Sequence, residues 1–318
     1  MTQNKNIIFM GTPDFAVETL KRLYENGLSI AAVVCPPDKP AGRGQKLKYC
    51  AVKKYALNQN LNILQPESLK DTRFINYLKI LEPELIVVVA FRMLPKQVWE
   101  IPKKGTFNIH ASLLPKYRGA APIHWAIING ESETGVTSFL IDEDIDTGAI
   151  LMTKKCGIEP NETTGELHDK LKILGAETAL KTCECLLNDQ IIPENQPEIT
   201  GQKKAPKLFK ENCRIDWSLP SIDIHNKIRG LSPYPAAWTK FNLKDQKDSL
   251  VLKIYEASYE IFFHKQKNGD IEISKKELKI FTKDGCVFLK HIQTSGKKRM
   301  DIQSFLNGLS SISIKNAF

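Results

Sequence analysis

Short apolar runs separated by helical patterns fill the first 140 residues and restrict the fold most strongly. Runs typical of buried strands occur at Ile7–Met10, Ile30–Val34, Ile63–Leu64, Leu85–Ala90, Thr106–Ile109 and Val136–Ile141. A helical pattern over Asp14–Tyr24 follows the first run, and similar patterns separate most of the others. This alternation predicts an α/β domain with a Rossmann-like, mostly parallel sheet. Because ligands bind beyond the carboxyl ends of such strands, the segments after Met10, Ala90, Ile109 and Ile141 are expected at one edge.

The second part of the chain has a different character. A long helix is predicted over Thr163–Asn188, after which prolines and glycines interrupt any periodicity in residues 191–207. A short helix over Ser221–Arg229 is followed by short β-type segments up to Ile292, which indicate a small, OB-like β-barrel. We therefore expect a catalytic domain at 1–190, a linker at 191–207 and a carboxyl-terminal barrel domain at 208–318.

The positive charge is confined to the carboxyl-terminal third. Residues 1–200 hold 23 basic and 24 acidic side chains, whereas residues 201–318 hold 22 basic and 12 acidic ones. A nearly neutral segment 1–200 followed by a basic segment 201–318 favours a polyanionic partner that binds mainly to the basic segment. The alternative is that the basic residues serve only solubility.

Several classes of protein are disfavoured by the sequence. The longest apolar stretch, Leu85–Phe91, is too short to cross a bilayer, and no targeting segment is visible, so we expect a cytoplasmic protein without membrane contact. The seven cysteines are scattered and form no CxxC pair, which favours reduced thiols over disulfides or a metal site.

Three segments carry residues suited to chemistry. Asn108 and His110 lie two apart in an extended segment and would face the same side. The acidic run Asp142–Gly148 follows a predicted strand, and its Asp-Thr-Gly end suits a loop that directs one carboxylate inward. The loop Pro36–Lys54 carries six basic residues against one acidic residue and favours phosphate contacts. Each segment alone also fits a structural or solvated role.

Together these segments resemble the methionyl-tRNA formyltransferase family. The run Phe107–Ile123 is similar to the family's signature, and Asp142–Gly148 is similar to its catalytic aspartate loop. Phe9–Ala16, Lys39–Gly44, Ile215–Trp217, Ile228–Trp238 and Met300–Gly308 resemble further family segments. The resemblance spans nearly the whole chain.

The resemblance implies formyl transfer from 10-formyltetrahydrofolate, as co-substrate, to the amino group of methionine on initiator tRNA, in a monomer that needs no metal. The implied catalytic residues are Asn108, His110 and Asp146. The implied folate contacts are Ser112, Leu113, Leu114 and Pro115. Arg92 is expected beside them, because its stretch frames the folate in the family, although many relatives have glycine there. The implied tRNA contact is Arg43, and the basic residues Lys39, Lys46 and Lys48 of the same loop are expected to join it. The chemistry agrees, because amine attack on a formyl carbon builds an oxyanion that needs fixed donors.

Two alternatives remain at this point. A formyltransferase acting on a small amine, such as an amino sugar nucleotide, shares the Asn-x-His pair but does not need a basic loop or barrel. A non-catalytic RNA-binding protein needs the basic segments but not the catalytic trio.

Overall fold

A computed structural model describes residues 5–41, 46–198, 200–243, 249–308 and 314–318. The chain groups into two compact units. The first comprises residues up to 122, 133–157 and 168–204, and the second comprises 123–132, 158–167 and 205–318. The two internal segments of the second unit lie between segments of the first unit along the sequence, an arrangement that the strand and helix patterns did not indicate. No helix among the described residues has the length and apolarity needed to cross a membrane.

The described strands and helices follow one another in an α/β order and then a β-rich order. The strands up to residue 157 are β1 Ile7–Gly11, β2 Ile30–Val34, β3 Lys39–Ala41, β4 Lys46–Lys48, β5 Ile63–Leu64, β6 Leu85–Val89, β7 Thr106–His110, β8 Arg118–Gly119, β9 Glu133–Leu140 and β10 Ile150–Gly157. The helices up to Leu187 are α1 Asp14–Glu25, α2 Ala51–Asn58, α3 Thr72–Ile80, α4 Lys96–Trp99, α5 Pro122–Ile128 and α6 Thr164–Leu187. Later elements are β11 Lys204–Ala205, a 3-10 turn Glu211–Cys213, α7 Ser221–Gly230, β12 Ala237–Leu243, β13 Ser249–Ile261, β14 Ile271–Ile273, β15 Leu278–Phe281, β16 Gly285–Thr294, β17 Met300–Asp301, α8 Ile302–Asn307 and β18 Ile314–Ala317.

The first unit is built on a seven-stranded sheet in the order β10-β9-β7-β6-β1-β2-β5. The five strands from β7 to β5 are parallel, which confirms the predicted Rossmann-like, mostly parallel sheet. The central strands β1 and β6 are buried along their whole length. One face packs through Ile8 and Val88 against Phe74 and Leu78 of α3, so apolar burial fixes the strand ends that frame the site.

One expectation about the sheet edge is wrong. Strand β9 is antiparallel to β7, with Leu140 opposite Phe107 and Thr137 opposite His110. β9 therefore ends where β7 begins, and the loop after Ile141 leaves from the opposite edge of the sheet. That loop nevertheless brings the carboxylate of Asp146 to His110, the last residue of β7.

The second unit contains the predicted small barrel. Its antiparallel strands run in the order β14-β15-β16-β13-β12-β18, with β17 paired to β16. A bridge between Asp270 and Asn316 joins the two ends of this order and nearly closes the barrel. Phe241, Leu252 and Ile292 are fully buried inside it.

Candidate active site

Strand β7 carries the two residues that begin the site. β7 lies between β6 and β9, and Thr106, Phe107 and Ile109 are buried against neighbouring layers. Asn108 and His110 occupy alternate positions of this strand, so both side chains emerge on one side. In the neighbouring parallel strand β6, Val88 lies opposite Asn108. This pairing fixes the position of the Asn108 side chain along the strand.

His110 is held through one ring nitrogen and faces a carboxylate with the other. Its Nε2 lies 2.9 Å from the carbonyl oxygen of Tyr117, and its Nδ1 lies 3.7 Å from Oδ2 of Asp146. A carbonyl oxygen can only accept, so Nε2 carries a hydrogen and Nδ1 is the nitrogen that faces the carboxylate. The ring is 6 % exposed and meets Phe139 edge-on at 6.4 Å between centroids. Its orientation is therefore fixed before any substrate binds.

The Asp146 loop is tightly constrained. Asp146 adopts a left-handed backbone with φ of +57°, which aspartate tolerates better than most residues. Its Oδ2 accepts a hydrogen bond of 2.9 Å from the backbone N–H of Gly119. A methyl group at Gly148 would lie 1.7 Å from the carbonyl oxygen of Leu140, so the Asp-Thr-Gly end of the loop requires glycine. Thr147 donates to Asp142 at 2.7 Å and closes the turn.

Asn108 has an unused polar atom. Its Oδ1 is buried and has no hydrogen-bond partner among the described residues. A buried amide oxygen without a partner costs free energy unless something else supplies a donor. This orphan atom, on the same side of β7 as His110, fits a site that a polar molecule completes.

The segment Ser112–Pro115 follows directly and is mostly buried. The Ser112 hydroxyl donates to the carbonyl oxygen of Lys116 at 2.7 Å, and Thr137 accepts from the Leu114 N–H at 3.1 Å. Thr137 in turn donates to the carbonyl oxygen of Ser112 at 2.7 Å. Ser112, Leu114 and Pro115 are buried and Leu113 is half-buried, so the segment is rigid and its hydroxyl is already committed.

Arg92 is anchored to a neighbouring turn. Its Nη2 and Nη1 donate to the carbonyl oxygens of Pro66 and Glu67 at 3.0 Å and 3.1 Å. The guanidinium lies 5.3 Å from the centroid of the Phe91 ring. Its Nε is buried without a partner among the residues described. The Nε–H of Arg92 is therefore a buried donor that no described residue satisfies.

The basic loop is a two-stranded ribbon. β3 and β4 pair antiparallel, with Lys39 opposite Lys48 and Ala41 opposite Lys46. The side chains of Lys39 and Lys48 are exposed, and facing ammonium groups repel each other unless an anion lies nearby. Arg43, predicted to contact tRNA, lies outside the described residues.

The base of the ribbon is fixed by an ion pair. Lys53 donates to Asp38, and Gln65 adds a hydrogen bond of 3.0 Å to the same carboxylate. These two donors hold the pKa of Asp38 below its usual range. The ribbon is thus attached firmly to α2, which begins just after it.

Residues missed by the sequence analysis complete the surroundings of the trio. They are Gly119, whose N–H binds Asp146, Tyr117, whose carbonyl oxygen binds His110, and Arg118 and Gln196, which bind each other. The first three lie inside the run Phe107–Ile123, but nothing in the sequence marked Gln196. Across the described part of the chain, no three His, Cys, Asp or Glu side chains are grouped so as to hold a metal ion.

The second unit presents cations over aromatic rings. The guanidinium of Arg214 lies 5.9 Å from the Trp238 ring and 5.7 Å from the Phe318 ring. Lys210 lies 5.7 Å from the Trp238 ring, and Lys240 lies 5.8 Å from the Phe318 ring. Such cation–aromatic groups suit stacking and phosphate contacts with nucleic acid.

The sequence and the fold match one family of enzymes. Residues 5–182 match the family model described as formyl transferase, and residues 207–310 match the model of the formyl transferase carboxyl-terminal domain. The chain therefore belongs to the formyltransferase family.

Within that family, the chain is similar in sequence to enzymes that share one name. The methionyl-tRNA formyltransferase of Flavobacterium johnsoniae is 53 % identical over 304 residues, and 96 % of each chain is covered. The enzyme of the same name from Bacteroides thetaiotaomicron is 46 % identical, again with 96 % of each chain covered. Among solved structures, an N-formyltransferase from Helicobacter canadensis is 22 % identical with a TM-score of 0.63, covering 91 % of this chain and 98 % of its own. That likeness concerns the fold alone.

Proposed function

We propose that this chain transfers the formyl group of 10-formyltetrahydrofolate to the α-amino group of methionine on initiator tRNA, at the start of translation. The observation that carries this function is the 53 % identity, over 96 % of both chains, to an enzyme named methionyl-tRNA formyltransferase. The contact between His110 and Asp146 supports the assignment of the reaction to this site.

Asn108 and His110 supply donors to the oxygen of the carbon under attack. That oxygen gains negative charge as the amine adds, and fixed donors in a poorly hydrated site stabilise such charge most strongly. The Asn108 amide is neutral, whereas a protonated His110 is a stronger donor through Nδ1. The Nε2–H of His110 is occupied by Tyr117 and keeps the ring in place.

Asp146 acts through its charge and its basicity. Its Oδ2 lies 3.7 Å from Nδ1 of His110, so the carboxylate would stabilise positive charge that the ring carries during the reaction. The carboxylate also accepts the proton that the amine loses, through a water molecule. The reaction starts from a neutral amine, whose new bond to the formyl carbon replaces the bond between that carbon and a folate nitrogen. The proton that the amine loses is the one that this leaving nitrogen would gain, so Asp146 would hold it only in passing.

Ser112–Pro115 and Arg92 are our candidates for holding the folate. The rigid, mostly buried segment from Ser112 supplies an apolar wall, and the free Nε of Arg92 supplies a donor. The buried Oδ1 of Asn108 is likewise available to a polar ligand. When bound, 10-formyltetrahydrofolate supplies the activated one-carbon group.

Lys39, Arg43, Lys46 and Lys48 are our candidates for the acceptor end of the tRNA. The exposed side chains of Lys39 and Lys48 support this proposal, as does the charge surplus of residues 201–318. We further propose that residues 1–190 carry the side chains that take part in the reaction, that 191–207 lead from this part to 208–318, that 208–318 bind tRNA, and that the enzyme is a cytoplasmic monomer.

The test is an assay with radiolabelled or mass-resolved formyl transfer from 10-formyltetrahydrofolate. Initiator methionyl-tRNA should be formylated, whereas uncharged tRNA should not react, because it lacks the amine. Preferential formylation of an amino sugar nucleotide would overturn the proposal in favour of a small-amine enzyme. Tight tRNA binding without transfer would favour a non-catalytic RNA-binding protein.

A further inference from the structure

The segment after α6 returns to the catalytic loop. Glu194 and Ile150 exchange two backbone hydrogen bonds, of 2.7 Å and 2.8 Å. Ile150 is the first residue of β10 and follows the Asp146 loop directly. A stretch expected to serve as a linker is therefore paired with the strand that ends the catalytic loop.

Gln196 holds that loop with both hydrogens of its amide. Its Nε2 donates to the carbonyl oxygen of Asp146 at 2.9 Å and to that of Gly148 at 2.8 Å. The two carbonyls flank Thr147, so a single side chain spans the turn that gives Asp146 its left-handed backbone.

Arg118 determines which way this amide points. The Oε1 of Gln196 accepts from Nε and Nη2 of Arg118, at 3.1 Å and 2.6 Å. A guanidinium can only donate and a carbonyl oxygen can only accept. A flipped amide would therefore lose all four hydrogen bonds, and the orientation is unambiguous.

The two sequence neighbours of Arg118 contact His110 and Asp146. Arg118 lies between Tyr117, whose carbonyl oxygen binds His110, and Gly119, whose N–H binds Asp146. The N–H of Tyr117 donates to the carbonyl oxygen of Lys203 at 2.7 Å, so the segment that carries Gln196 also supports the His110 side.

We infer that Gln196 is a positioning residue, which keeps the carboxylate of Asp146 beside His110 and is itself oriented by Arg118. This inference rests on the proposed function and concerns geometry, because Gln196 bonds to the backbone of the catalytic loop and not to its carboxylate. Displacement of a reacting group by about 1 Å can cost on the order of a hundredfold in rate.

Two substitutions distinguish the hydrogen bonds that the Gln196 amide donates from those that it accepts. Gln196→Glu keeps the size and the bond to Arg118 but replaces the NH2 group with an oxygen that repels both carbonyls. Gln196→Met keeps the length and removes all polar contacts. Gln190→Met is the matched control, because Gln190 lies in the same segment and is exposed. Each is assayed for kcat, for the KM of methionyl-tRNA and of 10-formyltetrahydrofolate, and for thermal unfolding.

We expect both Gln196 variants to lose about tenfold or more in kcat, while each KM changes by less than about twofold. Gln190→Met should match the parent enzyme. The second readout is a double-mutant cycle with Asp146→Asn, in which Gln196→Met should add little further loss. If one variant fails to fold, the other and Gln196→Asn carry the same comparison.

The outcomes distinguish this inference from the proposed function. An inactive parent enzyme would overturn the function itself. An active parent with unchanged kcat in the folded Gln196 variants would overturn the positioning role alone. Losses that multiply fully in the double mutant would also overturn it, because Gln196 would then act independently of Asp146.

Discussion

Oδ2 of Asp146 lies 3.7 Å from Nδ1 of His110, while the other nitrogen of the ring is tied to the carbonyl oxygen of Tyr117. This separation is longer than a hydrogen bond and short enough for strong attraction between a carboxylate and an imidazolium. The pair is buried, with side chains 7 % and 13 % exposed, so water screens the attraction poorly. The contact between Asp146 and His110 thus lies where interactions between charges are stronger than on the surface.

His110→Ala should abolish formylation while leaving tRNA affinity close to that of the parent enzyme. The substitution removes a donor to the developing negative charge, which typically costs on the order of a hundredfold or more in kcat. Single-turnover formylation and tRNA titration measure the two properties separately. The control is His291→Ala, since His291 is partly exposed and pairs with Glu256 in the barrel. Substantial turnover by His110→Ala would contradict the assigned role.

Asp146→Asn should lower kcat by about a hundredfold without unfolding the loop. Asparagine tolerates the left-handed backbone and keeps an oxygen for the Gly119 N–H, so the change removes mainly the charge. Asp144→Asn is the matched control, because Asp144 is an exposed carboxylate of the same loop. Comparable losses in both variants would indicate that the general acidity of the loop matters, and not the contact with His110.

Lys39→Ala, Lys48→Ala and Arg43→Ala should each weaken initiator tRNA binding and flatten its salt dependence. Each lost phosphate contact should reduce the slope of log K against log salt concentration by about one. Affinity is measured at several salt concentrations, with kcat at saturating tRNA as a second readout. Lys79→Ala, on the exposed side of α3, should change neither. Unchanged slopes in all three ribbon variants would assign their charge to solvation.

Cys50 should be the thiol most readily alkylated near neutral pH. The hydrogen bond from Cys35 and the backbone N–H of Lys53 lower the pKa of Cys50 to about 6. Since the thiolate reacts, labelling by iodoacetamide should rise through pH 6 and level off above about pH 7. Peptide mass spectrometry provides the rates, with the similarly half-buried Cys185 for comparison. Labelling of Cys50 that rises in parallel with that of Cys185 up to pH 9 would contradict this expectation.

Periodicity was sufficient to predict the elements that carry the site. The strand predicted at Thr106–Ile109 is β7, and the helix predicted over Thr163–Asn188 is α6 within one residue at each end. Apolar residues at regular spacing identify such elements because burial requires them. The resemblance then joined Asn108, His110 and Asp146 into one set, and the structure places His110 beside Asp146.

Strand direction and long-range polar contacts could not be predicted in this way. β9 has the same apolar pattern whether it runs parallel or antiparallel to β7, so its direction was assigned wrongly. Gln196 contacts the Asp146 loop across 50 residues of sequence, through an amide that leaves no periodic trace. The interruptions at Pro193 and Pro197 indicated irregular backbone but not what that backbone binds.

The contact between Gln196 and the Asp146 loop has a practical consequence for dividing this chain. A fragment ending at residue 182, where the first family match stops, would retain all three side chains that we propose as catalytic. It would nevertheless omit the amide that spans the turn at Thr147 and the strand partner of Ile150. A minimal catalytic fragment for ligand screening should therefore extend through Lys204, even though sequence homology alone would place its end more than twenty residues earlier.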